Sequence, residues 1–245
     1  MIIRRNPLGI FRSIRVFYED KDIRALIRSE KPDYLTVISR TGASSFPGYT
    51  TCLRKKVAVI SLNGSVPEVF QRFRKNTRNE IRRTYTIDDL DFVNDDENIE
   101  EWYNLYKNFE RAQGRMPWKK STFSGTALFS AYYKGKMIVG LPFYLAKPIL
   151  TLHTIASVRL QKDVDQDFQK LVGYATRRIV YNVCEYGSKN GYTEVSLSSV
   201  NFTDKKKSSV AQFKLSFGCN LVDEYTCIYM SKRLQAINAI QKVFQ

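Results

Sequence analysis

The 245-residue chain is 43% hydrophobic and 13% aromatic, which excludes a disordered chain because that much apolar surface can fill a core. Its 39 Lys and Arg against 24 acidic residues give a formal net charge of +15; such a balance favours a polyanionic partner (RNA, DNA, a nucleotide or an anionic membrane face) without choosing among them. The longest apolar stretch, VGLPFYLAKPILTL, is broken by Pro142, Lys147 and Pro148, short of the roughly 18 to 20 apolar residues a spanning helix needs.

The opening MIIRRNPLGIF lacks the apolar core and cleavage site of a signal peptide, and Cys52, Cys184, Cys219 and Cys227 form no C-x-x-C pair. A reducing cytoplasm is therefore the expected compartment, at the inner face of the membrane if the chain meets lipid. In chain order, residues 1–64 read as short strands and turns, with YLTVISR and VAVISL separated by the turn-rich GASSFPG. From Ser65 the pattern changes. SVPEVFQRFRKNTRNEIRRT has Ser65 and Glu68 at capping-box spacing, and Val66, Val69, Phe70, Phe73, Thr77 and Ile81 recur at helical intervals, so one amphipathic helix is expected. Its other stripe would carry Arg72, Lys75, Arg78 and Arg82 on one face. NIEEWYNLYKNFERAQG predicts a second helix with Ile99, Trp102, Tyr106 and Phe109 turned inward.

After Gly125 come ALFSAYY, a tight turn at Lys134-Gly135-Lys136, MIVGLPFYLA and ILTLHTIASV, a meander of three strands. Asp165 opens a long helix with Phe168, Leu171, Val172, Ala175, Ile179, Val183 and Tyr186 in phase, closed by Gly187 and Gly191. The strand YTEVSLSS, a basic loop DKKKSS, the short segment VAQFKLSFG, a final strand LVDEYTCIYM and a terminal helix complete the pattern. The fold class this predicts is α/β (α+β), a mainly antiparallel central sheet flanked by helices. The expected division is 1–64 as N-terminal strands contributing to the sheet, 65–230 as the catalytic domain, and 231–245 as a tail helix.

Two segments carry a resemblance. FRKNTRNEIRR, with its K-x-T-R-x-x-I-R pattern, and FKLSFG, with F-K-x-x-F-G, resemble the basic helix and the catalytic half of the FemAB/FemX peptidyltransferases. The intervening strand-turn-strand, long helix and strand stand in that family's order, over roughly residues 50–230. The chain departs from the family pattern in having room for one full half plus a remnant, and in reading SLSSVN where an acidic, glycine-rich strand end is usual.

The resemblance implies a GNAT-like fold and an acyl- or aminoacyltransferase acting on an amino group of a cell-wall or surface-polysaccharide precursor. It implies no tightly bound cofactor. The donor is aminoacyl-tRNA or acyl-CoA, and the acceptor a nucleotide- or lipid-linked sugar; peripheral membrane contact and a homo-oligomer stay open. RLQKDVDQDFQK, which leads into the long helix, has no glycine to cradle a CoA pyrophosphate, which favours the tRNA donor or a differently held thioester. An acyl-CoA-dependent amino-sugar N-acyltransferase and a non-enzymatic nucleic-acid-binding protein are the alternatives.

By the resemblance Lys214 holds the donor or its developing negative charge, and Phe213 and Phe217 would desolvate it. Lys75, Arg78 and Arg82 are the candidate phosphate contacts, because guanidinium forks match phosphate oxygens. Ser198 and Asn201, at the C-terminal end of a strand, are candidate substrate contacts. His153 is the sole histidine, which excludes metal sites needing two; it and Asp223 are the candidate proton acceptors. His153 is read as a strand residue sharing a face with Thr151 and Ile155, where a packed core histidine competes with that role.

Overall fold

The computed structural model describes residues 1–5, 10–18, 22–41, 50–161, 165–202 and 205–243, with the side chains of 205–207 and 238–243 left aside. In chain order the elements are β1 (Ile2–Arg5), β2 (Ser13–Phe17), α1 (Ile23–Glu30), β3 (Tyr34–Ser39), β4 (Thr51–Ser61), α2 (Val66–Gln71), α3 (Lys75–Arg83), β5 (Leu90–Asn94) and α4 (Ile99–Ala112). There follow β6 (Thr126–Tyr133), β7 (Lys136–Ala146), β8 (Ile149–Leu152), β9 (Ala156–Ser157), α5 (Gln166–Lys189), β10 (Glu194–Ser199), α6 (Lys205–Leu215), β11 (Asn220–Met230) and α7 (Lys232–Val243). They fall into two units: a terminal unit of Met1–Val57 with Leu221–Gln245, and a central unit of Ala58–Asn220.

In the terminal unit the strand order is β1-β2-β3-β11-β4. β1 with β2 and β3 with β11 pair antiparallel, and β2 with β3 parallel. Ile14, Val16, Leu35 and Val37 fill its core with Ile23 from α1, a helix that the sequence pattern did not announce and that Asp22 caps by accepting from the Arg24 and Ala25 amides. Cys52 and Cys227, on the neighbouring strands β4 and β11, form a disulfide with Cα atoms 4.1 Å apart. Sequence spacing gave no hint of this bond.

In the central unit the order is β4-β10-β8-β7-β6-β5, with β9 beside β7. β5 to β8 are an antiparallel meander, and β10 joins β8 in parallel. The neighbours Leu128 and Phe129 on β6 point to opposite faces and belong to different clusters. On one face α5 buries Val172, Ala175, Ile179 and Val183 against Phe129, Phe143 and Val195; on the other α4 sets Trp102 and Tyr106 against Phe123, Leu128 and Met137. Gly140 lets Trp102 lie close: a Cβ there would stand 2.1 Å from Trp102 Cδ1. The fold class is thus the α+β one expected, a mainly antiparallel sheet flanked by helices.

Three local expectations are corrected. The capping box at Ser65 and Glu68 is present, and Val69, Phe73, Thr77 and Ile81 are buried as predicted, but the helix from Ser65 is two helices. Arg74 takes an extended ψ of 146 and gives its amide to the Ser216 carbonyl, and Arg78 covers the carbonyls of Gln71 and Phe73 at the end of α2. Arg72 is thereby parted from Lys75, Arg78 and Arg82, which remain on α3. The basic stretch read as a loop enters α6 at Lys205. The third meander strand stops at Leu152, which leaves His153 beyond the strand. GASSFPG, read as a turn, lies outside the described residues.

Candidate functional site

The register of β8 with β10 runs from Glu194 and Ile149 to Ser196 and Thr151 and stops there. Beyond it Ser198 adopts φ 65, a left-handed conformation rare for a residue with a side chain. Its hydroxyl donates to the Leu152 carbonyl at 2.5 Å. Where these parallel strands end, a cleft of about 1430 Å³ opens, walled by Leu152, His153 and Thr154, by Ser198, by the first turn of α3, by the end of α4 and by α5 and α6. The C-terminal ends of parallel strands are the usual place for ligands in sheet-based folds. The volume exceeds the roughly 300–1,000 Å³ of a single small-molecule pocket.

The cleft is electropositive. Among the described residues its walls carry six cations, Arg74, Lys75, Arg115, Arg159, Arg177 and Lys214, against one carboxylate, Glu80. Lys214 is 7% exposed, and its Nζ donates to the Ser199 carbonyl at 2.7 Å. Arg177 stands over the Phe213 ring, 5.2 Å from its centre, with Nη1 on the Gly173 carbonyl and Nε 2.6 Å from Glu80 Oε2. Burial lowers its pKa, Glu80 raises it, and the nearby Arg159 lowers it again.

Two helix N-termini differ sharply. The α3 start has no side-chain cap and no acidic residue in its first turn, and Lys75, Asn76 and Thr77 line the cleft. At α5 Asp165 accepts from the Phe168 amide and Asp167 sits in the first turn. The first end favours an anion and the second opposes one.

The sequence-predicted residues distribute unevenly. Lys214, Phe213, Ser198, Lys75 and His153 all line the cleft. His153 is half-buried among the rings of Phe123, Tyr144 and Trp118, at 4.9, 5.1 and 5.4 Å. Phe217 is fully buried behind the wall, edge-on to Phe213 and Phe73. Arg78 is committed to the α2 carbonyls, Arg82 stands over the Phe70 ring, and Asn201 is an exposed residue past the end of β10; none of the three lines the cleft. Asp223 belongs to the terminal unit, where Arg54 at 2.6 Å and Lys56 at 3.0 Å hold its carboxyl down to about 2, so it is a weak base at neutral pH. Burial pushes the Cys219 thiol to about 12 and Cys184 higher still, so neither is a thiolate nucleophile.

Arg74, Arg115, Arg159 and Arg177 were missed. Arg177 carried a faint signal, one turn after Gly173 and two residues beyond the inward-facing Ala175 on a helix predicted correctly. Arg115 and Arg159 lie on turns whose course no periodicity encodes.

No family model and no curated protein matches the sequence. Among solved structures, the chain is similar to FemX, with a TM-score of 0.63 at 12% identity over 91% of this chain and 82% of that one. It is also similar to the C-terminal domain of a protein assigned as a lysylphosphatidylglycerol synthetase from Agrobacterium fabrum (TM-score 0.55, 9% identity, 98% and 83% covered). L-PGS from Bacillus licheniformis gives a TM-score of 0.53 at 10% identity, with 92% and 81% covered. These likenesses are of fold, and the FemX-like fold implied by the two motifs is the fold of this chain. Coverage of 91% exceeds the central unit alone, so the terminal residues, expected as a remnant, also find counterparts.

Proposed function

From this cleft we propose that the chain is an acyltransferase of FemX-like fold that carries an aminoacyl group from aminoacyl-tRNA to an amino group on a cell-wall or surface-polysaccharide precursor. The observation that carries the reading is the cleft wall at the parting of β8 and β10, where the described residues supply six cations and one carboxylate. Its size suits two substrates together, and its charge suits phosphate-bearing ones.

In the reaction the acceptor nitrogen attacks the acyl carbon, the carbonyl oxygen takes up negative charge, and the ester oxygen leaves with a proton. The ammonium of Lys214, fixed by the Ser199 carbonyl and largely out of water, is the cation for that oxyanion; a preorganised charge of this kind acts more strongly than one in water. Lys75 and the uncapped α3 start receive donor phosphates. His153, at the cleft wall, is the candidate acceptor for the amine proton. Acyl-CoA is the less favoured donor, because Asp165 and Asp167 occupy the α5 start.

The test is transfer from charged tRNA and from acyl-CoA to amino-sugar and peptide amines, comparing the wild type with Lys214→Ala. Lys214-dependent transfer from charged tRNA supports the reading; transfer from acyl-CoA alone would move the assignment to an amino-sugar N-acyltransferase. Saturable RNA binding without transfer would make the chain a nucleic-acid-binding protein.

A further inference from the structure

From the last turn of α4 the chain runs Arg111 to Lys120 with four cations, Arg111, Arg115, Lys119 and Lys120, and no carboxylate of its own; Lys120 pairs with Glu100 of α4. Within this stretch Met116 is 90% exposed and Trp118 53%. A large apolar side chain so far into water normally belongs to a loop with little holding it. This loop is held at several points. Arg115 forms an ion pair with the buried Glu110 at 2.8 Å, and its amide donates to the Glu110 carbonyl. The Trp118 amide donates to Tyr106 Oη, and Tyr103 Oη donates to the Trp118 carbonyl. Tyr106 is itself 1% exposed, so the loop is anchored to the core and its display of Met116 and Trp118 is built in.

The same loop borders the cleft, which Arg115 lines and whose His153 lies 5.4 Å from the Trp118 ring. Leu160 and Val210, also on the cleft wall, are 46% and 49% exposed. Trp beside Met, flanked by Arg and Lys, suits the interface of a bilayer, where the apolar parts enter the headgroup boundary and the cations meet lipid phosphate. Nucleic acid would use the cations but not Met116. The charge selects the lipid: Arg115 and Lys120 are held by Glu110 and Glu100, and Arg111 and Lys119 leave the stretch with an excess positive charge that an anionic surface attracts and a neutral one does not.

We propose that the Arg111–Lys120 loop is a membrane-docking surface for anionic phospholipid, which brings the mouth of the cleft to the bilayer face. The proposal adds to the transferase reading and relies on it only for what the cleft does there.

Fluorescence gives a direct test, since Trp118 is exposed and the other tryptophan, Trp102, is 1% exposed. The full chain is mixed with vesicles of phosphatidylcholine alone, with vesicles containing phosphatidylglycerol, with both made from brominated chains, and with an RNA hairpin. Expected are a blue shift and bromine quenching on the anionic vesicles only, lost in Trp118→Phe, which still co-sediments. Met116→Ser should weaken co-sedimentation about tenfold or more. As an exposed position, Met116 leaves the fold intact, and transfer to a water-soluble acceptor is unchanged in that variant. Co-sedimentation without quenching, equal binding to neutral vesicles, or a response to RNA alone would each overturn the proposal. Lys214→Ala should bind vesicles as the wild type does; a wild-type chain that docks on anionic vesicles but transfers from neither donor defeats the transferase reading and spares this one.

Discussion

Lys214 gives its Nζ proton to the Ser199 carbonyl across 2.7 Å, which ties α6 to the end of β10 at the point where the cleft opens. The contact is structural, and on the proposed transferase reading it also aims a charge. Lys214→Met should therefore lower the transfer rate by about 10²–10³ and stability by about 1–3 kcal/mol through the orphaned carbonyl. Single-turnover rates beside urea unfolding separate the two effects. A stability loss with an unchanged rate would remove Lys214 from the chemistry.

Gly218 closes the F-K-x-x-F-G segment for a backbone reason. Its φ is 67, and a Cβ there would lie 2.5 Å from the Arg72 carbonyl oxygen. Gly218→Ala should cost about 2 kcal/mol or more, from left-handed strain and from contact with backbone that cannot move aside. A urea midpoint equal to the wild type would refute this account of the motif's final residue.

Arg78 and Lys75 stand three residues apart and should behave as opposites. Arg78 bonds the Gln71 carbonyl at 2.7 Å and that of Phe73, so Arg78→Ala should lower stability by about 1–3 kcal/mol. Lys75 is exposed on the cleft wall; Lys75→Ala should leave stability within about 0.5 kcal/mol while weakening donor RNA binding and reducing its salt slope by about one. Parallel melting and RNA titrations at several salt concentrations decide between these assignments.

The Asp223 carboxyl titrates at about 2, below its ordinary 3.8, chiefly through its hydrogen bond with Arg54 and then that with Lys56. A depressed folded-state value contributes stability that is present above about pH 4 and lost as pH falls through 2. Asp223→Asn should flatten the pH dependence of the unfolding midpoint in that window and leave the neutral-to-alkaline side unchanged. An acid limb of the same steepness in both proteins would show that other carboxylates govern it.

Much of the fold was written in periodicity. The meander, the long helix after Asp165 and the buried set Val69, Phe73, Thr77 and Ile81 follow from the spacing of apolar residues. What spacing does not encode is where a helical run is interrupted by a distant partner. Arg74 leaves the helix because Ser216, far along the chain, offers its carbonyl, and that break parts Arg72 from the cations of α3 with which a continuous helical wheel groups it. The cleft lining was legible at Phe213 and Lys214, where a motif drew attention to both. It was opaque where Arg115 and Arg159 reach the cleft from turns, and where Glu80 pairs with Arg177 across two helices.

The terminal unit's strand order gives synthesis a direction. β11 lies between β3 and β4, yet among the described strands it follows all the others in the chain, so on a ribosome β3 and β4 each wait with an unpaired edge while the central unit emerges. The terminal unit therefore closes between β3 and β4 only after the strands of the central unit have emerged. A ribosome stalled before Asn220 holds a chain whose early strands are made and whose sheet has no centre, an exposed template that invites pairing with a neighbouring chain.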